Sequence, residues 1–296
     1  GKSTASTFAA SQLVNTMDVV GSAGTDTITT TTANDNAAVK SMSGVETLKI
    51  NVAGGATAFN FAVTSGVTKV QLDDDGTARI ATLTDLAAGV AVEVEHGVTA
   101  SGVVIDQVNK TALDNTQTVT IKTTATDTHT YSIDASDIET LTVKMSDASK
   151  IDLSSNAMST AGATSTLLLT GNKAATLTLV NTDITTIDAS GMTQGGSVTQ
   201  DARSTAGAVT YTGSVGNDTL IMGNAADTLT GGAGTDTLDI NFDAILGGVN
   251  VDLTSATNQI VSMNGSAPTG TVTGFENVDA SGYIGPLGAQ ITGTST

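Results

Sequence analysis

The sequence predicts an all-β chain wound as a parallel β-solenoid, and three observations carry that prediction. Short runs rich in Thr, Val, Ile and Leu alternate strictly between apolar and polar residues. One seven-residue turn-and-strand element recurs along the chain. Three glycine-rich nonapeptides follow one another without a gap at 213–239.

The alternating runs come first because they set the class. Thr118-Val119-Thr120-Ile121-Lys122, Thr140-Leu141-Thr142-Val143-Lys144 and Thr176-Leu177-Thr178-Leu179-Val180 each read with period 2 and are bounded by Gly, Asn, Asp or Ser. That pattern fits a pleated strand with one face inward. Helical spacing is weak, its best candidates being Thr7 to Met17, Ala81 to Ala88 and Asn156 to Ala161. Aromatic residues make up 3% of the chain and there are two prolines, so the packing predicted is thin and regular, built from small and β-branched side chains.

The repeated element is Gly44-Val45-Glu46-Thr47-Leu48-Lys49-Ile50. It returns as Asp137-Ile138-Glu139-Thr140-Leu141-Thr142-Val143, as Asp183-Ile184-Thr185-Thr186-Ile187-Asp188-Ala189, and as Gly274-Phe275-Glu276-Asn277-Val278-Asp279-Ala280. A turn residue leads into a strand with inward apolar positions. Recurrence at multiples of roughly 46 residues places such strands on one another in successive coils.

The nonapeptides are Gly213 to Ile221, Met222 to Thr230 and Gly231 to Asp239. The third fits the pattern G-G-x-G-x-D-x-U-x, where U is apolar. The first lacks only its second glycine, and the second keeps Asp227-Thr228-Leu229 in frame. Each is read as half a coil, so a full turn takes ~18 residues. Leu220, Leu229 and Leu238 then face inward. Asp218 and Asp236, 18 residues apart, stack at the strand spacing of ~4.8 Å. Two carboxylates that close repel unless a cation lies between them, and oxygen donors at that spacing suit Ca²⁺. The expected donors are Asp218 and Asp236, with carbonyls from Gly213 to Gly216 and Gly231 to Gly234 and with Asn217 beside them. On the opposite edge Asp227 faces Val209 and, by the same period, Ile245, which predicts a half-built site. An isolated copy, Gly21-Ser22-Ala23-Gly24-Thr25-Asp26-Thr27-Ile28-Thr29, makes Asp26 either a further ligand or an acceptor in a plain turn.

The chain carries 11 Lys and Arg against 29 Asp and Glu, a formal charge of −18. That balance argues against binding nucleic acid, which requires a basic surface, and against anionic membrane surfaces. No apolar run approaches the ~18 residues of a membrane span, and with no cysteine there is no disulfide or thiolate site. The first residues lack an apolar signal-peptide core, and the chain reads as a segment of something longer. The expected division is a degenerate solenoid at 1–212, with 85–132 as an insertion, and a β-roll with its continuation at 213–296.

The nonapeptides resemble the RTX repeats of proteins exported by type I secretion. The order Leu169-Thr170-Gly171-Asn172, Leu177-Thr178-Leu179-Val180-Asn181-Thr182 and Ile187-Asp188-Ala189-Ser190 ahead of them is similar to the C-terminal part of Gram-negative, Caulobacter-like surface-layer proteins. So is Val249-Asn250-Val251-Asp252-Leu253 behind them. The likeness spans roughly 19–60 and 135–290, and 85–132 carries no motif. It implies a secreted, cell-surface structural protein that binds Ca²⁺ and assembles with itself into a two-dimensional lattice. It also implies contact with cell-surface polysaccharide through parts outside this chain. A calcium-stiffened segment of a secreted adhesin, or the accessory β-roll of a secreted RTX enzyme, are the alternatives.

No catalytic set is legible. His96 and His129 stand alone, with no H-E-x-x-H and no G-x-S-x-G. Asp73-Asp74-Asp75-Gly76 reads as a turn or as an acidic pocket for a further cation. A glycan-cleaving β-helix would also show a groove of aromatics, and the only tyrosines are Tyr131, Tyr211 and Tyr283. The expectation is a protein that is not an enzyme.

Overall fold

The computed structural model describes residues 17–22, 24–31, 39–52, 57–74, 78–96, 101–109, 114–122, 130–153, 165–178, 184–193, 196–202, 207–240, 247–283, 285 and 287–293. The chain divides into two compact units, Gly1–Ala163 and Thr164–Thr296. Each is a parallel β-solenoid.

In the first unit one ladder runs through Thr27–Thr31, Thr47–Val52, Lys69–Asp74, Ala91–His96, Thr116–Ile121 and Thr140–Met145, every strand parallel to the next. A second runs through Thr57–Asn60, Ile80–Leu86, Ser101–Gln107, Thr130–Asp134 and Ser149–Asp152, also parallel. From Thr47–Val52 onward the chain visits the two ladders alternately, and Met17–Val20, Val39–Ser43 and Thr64–Ser65 form a small third parallel ladder beside the first coils. Period-2 sequence becomes period-2 burial, as in the iBiBiB pattern of Thr47–Val52. The register therefore makes a continuous inward column of Ile28, Leu48, Val70, Val92, Val119 and Val143, each at most 1% exposed. The strands Ala91–His96, Ser101–Gln107 and Thr116–Ile121, within the stretch 85–132 that carries no legible motif, take part in the same two ladders. Leu48→Ala should cost about 2–4 kcal/mol, since it opens a cavity in a column whose neighbours are held in register. A shift of the urea midpoint at constant m checks it, and a loss under 1 kcal/mol would deny the column its role.

The weak helix candidate at Ala81 to Ala88 falls largely in the strand Ile80–Leu86. Ala81 and Leu83 point inward two residues apart, and Leu86 does so three residues later. The extra residue is Asp85, at φ 55, where the register against the next strand shifts. A bulge thus imitates a helical i, i+3 step. Of the other helix candidates, Met17 opens the strand Met17–Val20. Thr7 to Thr16 and Asn156 to Ala161 lie outside the described residues.

The second unit has the same construction. One ladder is Ser165–Gly171, Ile184–Met192, Thr210–Thr212, Thr228–Thr230 and Val272–Thr273. The other is Ala175–Thr178, Val198–Ala202, Thr219–Ile221, Thr237–Asp239 and Asn277–Asp279. Through the nonapeptides the coil shortens to 18 residues, Thr210 pairing with Thr228 and Thr219 with Thr237. Leu220 stacks on Leu238 in one ladder, and Leu229 lies between Tyr211 and Val272 in the other. All three leucines are at most 1% exposed, as the repeat frame predicts.

The 18-residue period then stops. Leu229 pairs next with Val272 and Leu238 with Val278. Between those two coils the chain forms most of a side sheet, in which Val249–Asp252 pairs antiparallel with Ile260–Met263 and parallel with Ala289–Thr292.

Candidate metal centre

The turn leading into each short strand is built around a buried carboxylate. Gly213 N donates to Thr230 O at 2.8 Å, which lays the turn on the next coil. Ser214 N donates to Asp218 Oδ2 at 2.5 Å and Ser214 Oγ to Oδ1 at 2.8 Å, so the carboxylate closes its own turn. Oδ1 also accepts Val198 N, from the preceding coil, at 2.5 Å. The next coil repeats the step, with Asp218 N donating to Asp236 Oδ1 at 2.8 Å. So does the one after it, with Asp236 N donating to Glu276 Oε2 at 2.8 Å. Asp218, Asp236 and Glu276 thus form a file of carboxylates, each capping an N–H in the coil before.

Asp218 and Asp236 are 1% and 0% exposed. Asp236 Oδ2 is buried with no hydrogen-bond partner. Burial pushes the Asp236 carboxyl up to about 6; the Asp218 N–H opposes the shift, and the charges of Asp218 and Glu276 add to it. Burial also raises Asp218, opposed by its bonds from Ser214 and Val198. The Tyr211 hydroxyl, buried and without a partner, is raised well above its usual value by burial and by Asp218. The file is a column of like charge in a place that disfavours charge.

Backbone oxygens converge on the same edge. A Cβ on Gly213 would sit 1.7 Å from the Gly231 carbonyl oxygen and 2.7 Å from Asp218 Oδ2. A Cβ on Gly231 would sit 1.9 Å from the Gly274 carbonyl oxygen and 2.7 Å from Asp236 Oδ2. Glycine is therefore required by close approach. Gly232 and Gly234 are required by φ of 111° and 133°, conformations L side chains avoid. Gly216 lies against Gly196, where a Cβ would be 1.8 Å from that carbonyl oxygen.

The sequence-predicted residues divide accordingly. Asp218, Asp236, Gly213 and Gly231 come together along one edge. Asn217 is exposed and its Oδ1 accepts Thr235 N at 2.9 Å, tying two turns together. Asp227, on the other edge, accepts from Val209 N at 3.0 Å, Gly223 N at 2.9 Å and Asn224 N at 2.7 Å. Ile245, which the 18-residue frame placed beside it, lies outside the described residues. Gly270 lies against Asp227, where a Cβ would be 1.9 Å from the Asp227 carbonyl oxygen.

Asp26 closes its own turn and hands its N–H to the next coil as Asp218 does. Gly21 N donates to Ser43 O at 2.7 Å, Ser22 N to Asp26 Oδ2 at 2.5 Å, and Asp26 N to Glu46 Oε2 at 2.8 Å. A Cβ on Gly21 would meet the Gly44 carbonyl oxygen at 1.7 Å. A cavity of about 70 Å³ lies beside this carboxylate.

Glu46, Glu139 and Glu276 are the residues that sequence reasoning missed. Glu139 Oε2 accepts Asn115 N at 2.8 Å, the same bond again. The signal was present in the seven-residue element, where each Glu stands one residue before its strand. That is the place Asp occupies in a nonapeptide, and the longer side chain completes a shorter turn. The acidic cluster at 73–76 is a different matter. Asp73 is bonded to Lys49 at 2.8 Å, which holds the lysine's pKa up. Asp75 and Gly76 lie outside the described residues.

Among the described residues no three His, Asp or Glu side chains gather on one point. The carboxylates run in file, so a cation here must draw on backbone carbonyls as well. An all-oxygen donor set with one orphaned, buried carboxylate oxygen fits a hard divalent ion. Asp236 Oδ2 with the Gly274 carbonyl, and Asp218 Oδ2 with the Gly231 carbonyl, are the groups that would hold it. Comparison with protein-family models, with curated proteins and with solved structures returned no match.

Proposed function

We propose that this chain is an architectural β-solenoid segment whose nonapeptide coils bind Ca²⁺, and that it works by assembling with itself at a cell surface rather than by catalysis. The observation that carries the calcium reading is Asp236. Its buried Oδ2 has no partner, and its charge lies between those of Asp218 and Glu276. A divalent ion would satisfy that oxygen and neutralise the file. The surface-layer half rests on the resemblance of the strand order around the nonapeptides.

Calorimetric titration of the metal-stripped chain should show Ca²⁺ binding in the ~10⁻⁴–10⁻³ M range of extracellular modules, with Mg²⁺ much weaker. Asp236→Asn should abolish the tightest phase, while Asp147→Asn, which belongs to the first unit and is no member of the file, should leave it unchanged. No heat at millimolar Ca²⁺, or unaltered binding by Asp236→Asn, would end the calcium reading. Electron microscopy of the chain with and without Ca²⁺ tests the assembly half separately: ordered arrays only with the ion support it, and dispersed particles in both overturn it.

A further inference from the structure

We propose that the outer edge of the strand Ala289–Thr292 is a self-association edge, which pairs antiparallel with the same edge of a second copy of this chain. The proposal is independent of the cation site, because no carboxylate of the file lies on this strand.

The side sheet has Val249–Asp252 in its middle, so Ala289–Thr292 is bonded on one side only among the described residues. Val249 N donates to Gly288 O and Leu253 N to Thr292 O. In a parallel ladder this phase commits Gly288, Gln290 and Thr292 to the inner neighbour. It turns the N–H and C=O of Ala289 and Ile291 toward the open edge. Apart from its shortness, the edge lacks the devices that blunt such edges: the strand contains no charge and no proline, and its register against the neighbour is unbroken. Ile291 is 45% exposed and Leu287, just before the strand, 75%.

Charge selects the occupant. Two copies of a chain of charge −18 repel except where neither presents charge. The chain has 40 charged residues, 11 basic and 29 acidic, yet 253–275 and 280–296 contain none. Both outer strands of the side sheet lie in those stretches. The edge strand itself therefore brings no charge to the contact. The nearest, Asp252, sits opposite Thr292 in the middle strand at one end of the edge, so a second copy meets little like charge here and a basic partner would have only that one carboxylate to pair with. The closed solution for one strand meeting its own copy is a twofold axis. With the axis at Gln290, Ala289 and Ile291 of opposite copies exchange N–H···O=C bonds and the two Gln290 face each other.

Sedimentation velocity of the full chain, in chelator and again in Ca²⁺, is the test. A four-residue edge gives a small interface, so the expected affinity is weak, on the order of 10⁻⁵–10⁻³ M. The mass should rise with concentration from 29.4 kDa toward twice that value in both solutions. Ile291→Lys, which puts a charge on the edge, and Ile291→Pro, which removes only an outward N–H, should both remain monomeric with unchanged circular dichroism. Thr118→Lys, on an exposed face of the first unit, should dimerise like the parent. Because the chain has no cysteine, Gln290→Cys gives a direct readout. It should form a disulfide-linked dimer on oxidation, since a directly opposed, non-hydrogen-bonded pair has the spacing a disulfide needs. A parent that stays monomeric at ~1 mM, well above that affinity range, would overturn the proposal. So would dimers that persist in both Ile291 variants, or a Gln290→Cys chain that does not cross-link.

Discussion

Gly213→Ala is expected to unfold the nonapeptide coils at denaturant concentrations the parent chain withstands, at a cost of about 3–5 kcal/mol. One methyl group has this effect because of where it lands. It would lie 1.7 Å from the Gly231 carbonyl oxygen and 2.7 Å from Asp218 Oδ2. Neither is the free end of a flexible side chain. The carbonyl belongs to the next coil, and the carboxylate is tied to Ser214 and Val198. Relief requires the coils to part, which breaks the bond from Gly213 N to Thr230 O. The strands that would absorb the shift are three residues long, Thr210–Thr212, Thr219–Ile221 and Thr228–Thr230. Gly293→Ala serves as the control, since nothing lies within 4 Å of its Cβ position, and its effect should stay within ~0.5 kcal/mol. Urea unfolding followed by circular dichroism makes the comparison. A Gly213→Ala chain within 1 kcal/mol of the parent would mean that the coils do not approach as closely as described.

What the sequence made legible follows from where its periods are strict. Strands were readable because inward and outward residues alternate, and the 18-residue coil because Asp-Thr-Leu repeats in frame from Asp218 to Leu238. Where a period lapses, so does the reading. The steps from Leu229 to Val272 and from Leu238 to Val278 contain the side sheet, whose hairpin follows local turn chemistry and obeys no coil length. Gly270 was not recognised as the residue laid against Asp227 for that reason, nor Glu276 as the third carboxylate of the file. At Asp85 a single bulge residue shifted the phase of burial and gave a strand the spacing of a helix. Glu46 illustrates a further limit. Its role depends on an N–H twenty residues away at Asp26, and spacing alone does not tell an acceptor that closes a coil from an exposed acid at a turn.

The Asp236 carboxyl should make acid and calcium substitute for each other. Its folded-state pKa is about 6 against an ordinary 3.8, so the fold favours the protonated form. Below pH ~4 the carboxyl is protonated in both folded and unfolded chains and costs nothing. Between pH 4 and 6 the unfolded chain ionises first and the folded state loses ground. Above pH 6 the penalty is complete, about 1–2 kcal/mol once solvent screening is allowed for. Asp218, also raised by burial, acts in the same direction, as does repulsion across the acidic chain. In chelator, therefore, the melting temperature should fall as pH rises from 4.5 to 7. In 10 mM Ca²⁺ the order should reverse, because the ion binds the carboxylate and protons compete with it. At 10 mM, about 10 to 100 times the expected dissociation constant, the ion stabilises by about 1.4–2.7 kcal/mol, which matches or outweighs the penalty. Asp236→Asn separates this local effect from general repulsion. The amide oxygen can still accept Asp218 N, and the variant has no charge to bury. The variant should therefore be more stable than the parent in chelator at pH 7, have a shallower pH slope, and gain little from Ca²⁺. A parent chain that is more stable at pH 7 than at pH 5 without calcium, or an Asp236→Asn chain weakened in chelator, would show that the aspartate is a structural acceptor whose charge the fold tolerates.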